Sequence, residues 1–259
     1  MLLRFKEHKA KEGPGMGTNL LPADILERFH IEERRHACAI LASDFPPEFS
    51  DIMECLRQFR LLRSEVSAYG GRKTDVAGRF DNYLRGRGWA EKSTSVSMTV
   101  DGEVRTIETH KVDLWKNQIA LEVEWNNKDP FFSRDLNAFR LLHELGIISV
   151  GVIITRADEL QGLFDSLGWA YDSKNARWRS IGKKYGASTT HWGKLLPRVD
   201  AGGAGSCPLL LIAIRRDCYE DDLEGLPIVT SAPTGRRGPQ KGKKWIDEIR
   251  RRTGALDIE

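Results

Sequence analysis

The chain has 259 residues, of which 40% are hydrophobic and 30% are charged, and its net charge is +3. These values describe a water-soluble globular protein with a sizeable core. The longest apolar run, at 208–214, is far shorter than the ~20 residues that cross a bilayer, and the amino-terminal segment lacks the apolar stretch of a signal peptide. The sequence therefore predicts a cytoplasmic protein with no membrane partner. Its four widely spaced cysteines predict neither disulfides nor a zinc site.

The predicted domain organisation has three parts: a flexible leader at 1–19, a single domain at 20–232 and a basic carboxy-terminal tail at 233–259. The tail is distinguished by its charge, since residues 236–252 hold eight Lys or Arg against two acids. Such a tail can contact the phosphates of nucleic acid, and it can equally be a solvated, partly disordered end. Both interpretations remain open at this point.

The predicted elements begin with a strand at 36–41. Apolar residues then recur at helical spacing, which predicts a helix capped by Ser50. A second helix is predicted at 74–87, and Gly88 follows where a left-handed cap is expected. The dipeptide at 101–102, Asp-Gly, predicts a β-hairpin.

The later elements follow the same rules. Ser133 is predicted to cap a helix that ends near residue 145. A nearly continuous β-branched run at 147–155 predicts an interior strand that is covered on both faces. A helix at 158–167 and a buried strand at 207–214 complete the pattern, which is typical of an α/β core.

Residues 111–127, KVDLWKNQIALEVEWNN, are the most informative stretch. Apolar and polar residues alternate on both sides of a turn at 116–117, which predicts two paired strands. The alternation directs Asp113, Glu122 and Glu124 away from the apolar face of the hairpin. A solvent-exposed hairpin would carry such acids without a function, which is the common reason for this pattern. An Asp in one strand and Glu-x-Glu in the next is also the spacing of the metal site in nucleases of the PD-(D/E)XK type.

The sequence resembles the BglII/BstYI-type restriction endonucleases, which belong to the same structural class as BamHI. The resemblance covers 70–214 and rests on Gly88-Trp89, VDLWKNQIALEVEWNNKDPFFSRDLNAF, VGVIITR and YGASTTHWGKL. It implies an α/β, restriction-endonuclease-like fold with a central mixed sheet flanked by helices. It also implies a homodimer that hydrolyses double-stranded DNA with Mg²⁺, and without an organic cofactor, at a short palindrome. Relatives that share the LEVEWNN block suggest a site centred on GATC.

By this resemblance, Asp113 and Glu122 match the two metal-binding carboxylates, and the backbone carbonyl of Val123 adds a ligand. Glu124 stands where BglII-type enzymes have Gln, so its role remains open between orienting the attacking water, acting as general base and holding a second metal. Glu91 is the candidate for a fourth catalytic acid, and a surface salt bridge is its alternative role.

Base recognition requires other residues, because a metal site reads no bases. By the resemblance, Asn126 and Asn127 lie beside residues that approach base edges, and Asn can pair bidentately with adenine. Their alternative role is a turn before Asp129. A second DNA-reading loop is matched by Ser188, Thr189, Thr190 and His191. These four residues could instead cap the helix that follows, and a lone His is more often a hydrogen-bonded residue than a zinc ligand.

The sequence therefore predicts a type II site-specific deoxyribonuclease. One alternative is a repair or recombination nuclease with the same fold. Another is a DNA-binding protein in which the three acids form a structural face without metal. Cleavage at a defined palindrome would distinguish a type II enzyme from the repair or recombination nuclease. Binding of a divalent cation that depends on Asp113 would distinguish it from the metal-free DNA-binding protein.

Overall fold

The computed structural model describes residues 17–67, 75–108, 111–233 and 238–253. In these ranges the strands are β1 (Phe29–Arg34), β2 (Leu61–Leu62), β3 (Ala90–Lys92), β4 (Ser95–Val100), β5 (Glu103–Glu108), β6 (Val112–Lys116), β7 (Ile119–Val123), β8 (Val150–Arg156), β9 (Trp169–Asp172), β10 (Arg177–Ser180), β11 (Leu209–Ile214) and β12 (Tyr219–Glu220). The helices are α1 (Ala23–Arg28), α2 (Ala37–Asp44), α3 (Pro46–Gln58), α4 (Arg63–Ser67), α5 (Asp75–Arg85), α6 (Phe131–Glu144), α7 (Leu160–Ser166), α8 (Ile181–Lys184), α9 (Trp192–Asp200) and α10 (Gly238–Thr253).

A six-stranded mixed sheet, in the order β1-β11-β8-β7-β6-β3, forms the centre of the fold. The three middle strands, β11, β8 and β7, run parallel, whereas β1, β6 and β3 pair antiparallel to their neighbours. Every residue of β7, β8 and β11 is buried, as parallel strands covered on both faces require. The predicted α/β class with a central mixed sheet flanked by helices is confirmed.

Helices cover both faces of this sheet and define two hydrophobic cores. One core joins the sheet to residues of α1, α2, α3, α5 and α7, and the other joins it to α6 and α9. In the second core, α6 lies especially close to the sheet at Gly151 of β8. A Cβ atom at Gly151 would overlap the Phe139 ring of α6, so the absence of a side chain sets how near α6 lies to the sheet.

Three local predictions were wrong. Residues 36–41 lie mainly in α2 rather than in a strand, and the first strand is β1. Arg35 and His36 have φ of 58° and 61°, so a left-handed turn ends β1 and leads into α2. Helix α3 begins at Pro46, not at Ser50, because proline is favoured in the first turn of a helix. Helix α6 likewise begins before Ser133, and no side-chain cap is present at its start.

The predicted β-hairpin turn and the predicted left-handed residue after α5 are confirmed. The Asp101-Gly102 dipeptide joins β4 to β5, and both residues have positive φ, 51° and 84°, as a type I′ hairpin turn requires. Gly88 follows α5 with φ of 86°. The four cysteines are buried and unpaired. No helix in the described ranges is both long and apolar enough to span a membrane.

The described part of the predicted basic tail is a packed helix. Trp245 of α10 meets Trp178 of β10 with ring centroids 5.8 Å apart, and Gly242 packs directly against the Tyr171 ring of β9. Residues 238–253 are therefore folded rather than a solvated, disordered end. Most of the predicted leader, 1–16, lies outside the described residues.

Candidate active site and metal centre

The central hairpin forms as predicted, with its turn one residue later than expected. Lys116 pairs with Ile119, and Leu114 pairs with Leu121. This register, continued by one residue, places Asp113 opposite Glu122. Ala120, on the same face of β7 as Glu122, is buried in one core with residues of α6, so this face of the hairpin is covered rather than exposed.

Burial decides between the two interpretations of the hairpin acids. Glu122 is 1% exposed and Glu124 is 2% exposed. A solvent-exposed acidic strand is therefore excluded for these two residues. Ionised carboxylates are costly to bury unless they are paired or coordinate a metal, so their position requires a compensating partner.

A third buried carboxylate completes the group. Asp135, on α6, is 0% exposed, and carboxylate oxygens of Glu122, Glu124 and Asp135 lie within 4.8 Å of one another. We call these three residues the acidic cluster. Asp113 is half-buried beside it and contributes to the charge that Glu122 experiences.

Two neighbours offset part of the negative charge. Nε of Arg134 donates a hydrogen bond to Oδ1 of Asp135 at 3.0 Å, and its Nη2 lies 3.8 Å from Oε1 of Glu124. The side-chain amide of Asn127 donates to Oε2 of Glu124, also at 3.0 Å. Among the residues that the structure describes, Arg134 is the cation that contacts the acidic cluster.

The pKa values reflect this imbalance. Burial, followed by the charge of Asp135, raises the pKa of Glu122 well above its ordinary value and the pKa of Glu124 to about 8. Burial also raises the pKa of Asp135 to about 6, although the adjacent Arg134 acts in the opposite direction. All three groups bind protons more tightly than ordinary carboxylates, as expected where positive charge is insufficient.

The donor set fits a hard divalent cation. Oε2 of Glu122 and Oδ2 of Asp135 are buried, and neither has a hydrogen-bond partner among the described residues. Unpartnered carboxylate oxygens that converge in this way are the ligands preferred by such cations. The carbonyl of Val123 accepts a hydrogen bond from the Trp125 N–H at 3.2 Å.

The raised pKa values predict a pH-dependent stability for the metal-free protein. The folded state holds the Glu124 proton up to a pKa of about 8, against an ordinary value of 4.5. Folding therefore favours the protonated group, and the associated stability, on the order of a few kcal/mol, is present below pH ~4.5 and is lost as pH rises to ~8. Calorimetric melting in chelator from pH 5 to 8 measures this loss. We expect Glu124→Gln to flatten the profile, and an unchanged slope in that variant would contradict the assignment.

The structure does not place the predicted fourth acid in the cluster. Glu91 is exposed on β3 and forms an ion pair with Lys111. The acid that sequence reasoning missed is Asp135. Its signal was its position in α6 between the buried Phe132 and Phe139, since a carboxylate within an apolar helical stripe is unusual.

The two predicted DNA-reading segments lie side by side. The N–H of Thr190 donates to the carbonyl of Asn127 at 2.8 Å, and the N–H of Asn127 donates to Oγ1 of Thr190 at 3.1 Å. A β-bridge joins Lys128 to Thr189. These contacts connect residues some sixty positions apart in the chain, with Asn127 and Ser188 exposed.

The individual side chains of these segments have different surroundings. Asn126 has a positive φ of 59°, and its Oδ1 is buried without a partner among the described residues. The hydroxyl of Thr189 donates to the Gly186 carbonyl at 2.9 Å and accepts from Nη2 of the buried Arg156 at 3.1 Å. Thr189 thus stabilises the loop itself.

The capping alternative for the second segment holds for the position of His191 but not for a side-chain cap. His191 occupies the N-cap position of α9, but no side-chain cap forms there. Instead, Oδ1 of Asp158 accepts the Gly193 N–H at 3.1 Å, and the same carboxylate contacts the His191 ring. The Asp158 carboxylate, rather than a side chain of the loop, therefore accepts a hydrogen bond from the first turn of α9.

Comparison with known proteins gives one family. The family described as Restriction endonuclease BglII/BglIII matches residues 29–214. No curated protein matches the chain. The matched range runs from the start of β1 to the end of β11 and includes the whole acidic cluster, whereas α10 lies outside it.

Proposed function

The chain belongs to the BglII/BglIII restriction endonuclease family, and from this premise we propose that the acidic cluster and Asp113 form its catalytic centre. Members of the family are type II site-specific deoxyribonucleases, so the enzyme is a hydrolase whose substrate is DNA. The observation that carries the assignment is the pair of buried, unpartnered carboxylate oxygens on Glu122 and Asp135. These oxygens support a divalent cation bound at the acidic cluster.

We propose Mg²⁺ as that cation, held by Asp113, Glu122 and the carbonyl of Val123. When bound, Mg²⁺ polarises the scissile phosphate and lowers the pKa of a coordinated water. Asp135 is the further ligand or ligand-orienting acid, in the place that the sequence suggested for Glu91. A catalytic role for Glu91 stays a prediction, since its described contact is with Lys111.

Glu124 is the residue best placed to handle the attacking water. Its Oε2 is held by Asn127 at 3.0 Å, which leaves Oε1 directed toward Arg134 at 3.8 Å. A carboxylate fixed in this way can orient a water molecule and accept its proton. Glu122 is proposed to hold the cation, and Glu124, which offers a ligand oxygen within 4.8 Å of that of Glu122, to face the same cation and to accept the proton of the attacking water.

Recognition is proposed to use the surface formed by 126–128 and 186–191. Asn127 and Ser188 are exposed there, and the surface adjoins the acidic cluster through the Asn127 amide. Hydroxyls and amides suit base edges in the major groove. We further propose a homodimer in which each subunit cuts one strand. The two-fold symmetry of such a dimer requires a palindromic site. A GATC core is the proposed sequence.

Digestion of unmodified plasmid DNA tests this function. The purified protein with Mg²⁺ should produce discrete fragments, and sequencing of their ends should give one palindrome. Chelator should abolish cleavage. Cleavage without a defined sequence would favour the repair or recombination nuclease, and an asymmetric site would contradict the symmetric dimer. Absence of cleavage with Mg²⁺ or Mn²⁺ would favour a non-catalytic DNA-binding protein. Sedimentation equilibrium measures the oligomeric state independently.

A further inference from the structure

Glu124 is connected to the 186–191 loop by hydrogen bonds that pass through one residue, Asn127. We propose that Asn127 is a positioning residue that couples this loop to the metal centre, so that cation binding depends on how the loop is held. The inference rests on the proposed function. It assigns Asn127 a task beyond the base contact suggested by the sequence.

The backbone of Glu124 is already fixed by β8. Its N–H donates to the Ile154 carbonyl at 2.8 Å, and its carbonyl accepts from Oγ1 of Thr155 at 2.9 Å. The remaining freedom lies in the carboxylate. The hydrogen bond from Asn127 at 3.0 Å therefore selects the orientation in which Glu124 faces the other cluster oxygens.

The backbone of Asn127 is held by Thr190 rather than by the sheet. Both peptide groups of the pair take part, with the N–H of Thr190 at 2.8 Å from the Asn127 carbonyl and the N–H of Asn127 at 3.1 Å from Oγ1 of Thr190. Thr190 is fully buried. A displacement of the loop therefore displaces Asn127, and with it the donor to Glu124.

Two further features make this connection stiff. Asn126 has a positive φ of 59°, a conformation that turns the chain back, so that the Asn127 amide reaches a carboxylate three residues earlier. On the loop side, the buried Arg156 donates to the Tyr185 carbonyl at 2.7 Å and to Thr189 at 3.1 Å. The loop thus has a rigid anchor at its base.

An amide nitrogen carries two N–H groups. Asn127 is exposed, so its second N–H can donate to DNA while the first holds Glu124. One side chain would then contact both the recognised DNA and a residue of the metal centre. This arrangement supplies a direct physical link between correct recognition and cation binding.

The test measures Ca²⁺ binding to the DNA-free protein by titration calorimetry, and thereby avoids any dependence on cleavage. Loss of a residue that orients a metal ligand weakens affinity by about 10–100-fold, and we expect Asn127→Ala to fall in that range. Thr190→Val should weaken Ca²⁺ binding less, because the Asn127 amide remains. The double variant should match Asn127→Ala alone, since both changes interrupt one connection.

A matched control is available in the β9–β10 hairpin. Nδ2 of Asn175 donates to the buried Asp172 at 2.8 Å, so Asn175→Ala removes the same kind of bond away from the site. It should leave the Ca²⁺ affinity unchanged. Thermal melting of each variant verifies folding. Asn127→Ala is expected to fold normally because Asn127 is exposed.

A second readout separates coupling from a local effect on the metal. We compare single-turnover cleavage at the cognate site with cleavage at a site in which one base is replaced. Thr190→Val should lower the ratio of these two rates about tenfold or more. If Asn127→Ala binds Ca²⁺ as the wild type does, while Asp113→Asn abolishes that binding, this inference is wrong and the proposed function stands. If the wild type binds no Ca²⁺ in a manner that depends on Asp113, the proposed metal centre is wrong, and the inference falls with it.

Discussion

Asp113→Asn and Glu122→Gln are each expected to abolish DNA cleavage while preserving the fold. Both changes keep the size of the side chain and remove a negative ligand from a hard cation. The lost stabilisation of the transition state is about 4 kcal/mol, which corresponds to a rate reduction of roughly 10³. Single-turnover cleavage of a short duplex with saturating Mg²⁺ measures the effect, and melting curves confirm folding.

DNA binding provides the complementary measurement for these variants. We expect their affinity for DNA, measured without metal, to equal or exceed that of the wild type, because less negative charge then faces the phosphates. Glu54→Gln on α3, a partly exposed acid paired with Arg57, is the matched control and should cleave normally. Near-normal cleavage by either Asp113→Asn or Glu122→Gln would rule out the assigned site.

Glu124→Gln is expected to reduce the single-turnover rate by a factor on the order of 10² or more. The residue is 2% exposed and lies between Arg134 and Asn127. Solvent therefore does not compensate for the loss of its negative charge. If Glu124 only oriented the attacking water by accepting a hydrogen bond, the amide of Gln could do the same, and most activity would remain. Charge is therefore the property that this change removes.

Rates across Mg²⁺ concentration and pH distinguish the two possible charged roles of Glu124. Loss of a general base should lower the maximal rate and remove an ionisation from the pH profile of the wild type. Loss of a second-metal ligand should instead shift the Mg²⁺ dependence to higher concentration. Equal rates and equal metal dependence in wild type and Glu124→Gln would leave the charged role without support.

The core of the site could be predicted because its pattern is local. Alternation along 111–127 identified both strands, and the pairing of Leu114 with Leu121 brought Asp113 and Glu122 together as expected. Asp135 could not be assigned in this way. Its place beside Glu122 depends on how α6 packs on the sheet, which periodicity within α6 does not specify.

The same limit applies to the first strand and to the recognition surface. Residues 36–41 are apolar enough for a strand, but the left-handed turn at 35–36 directs them into α2. The bridge between Lys128 and Thr189 joins segments whose contact no local pattern indicates. Family resemblance suggested a role for both segments, whereas only the structure shows that they touch.

The close approach at Gly151 has a consequence for ion selectivity. Phe139 lies one helical turn after Asp135, so the contact that seats Phe139 on Gly151 also fixes the depth of the Asp135 carboxylate. Mg²⁺ demands oxygen ligands at about 2.0–2.1 Å, whereas Ca²⁺ accepts about 2.3–2.6 Å. A methyl group at Gly151 would push α6 away from the sheet and widen the space between the ligands, and we expect the centre then to favour the larger ion. Gly151→Ala is therefore expected to shift the preference of the proposed centre from Mg²⁺ toward Ca²⁺, although Gly151 is not one of the proposed ligands.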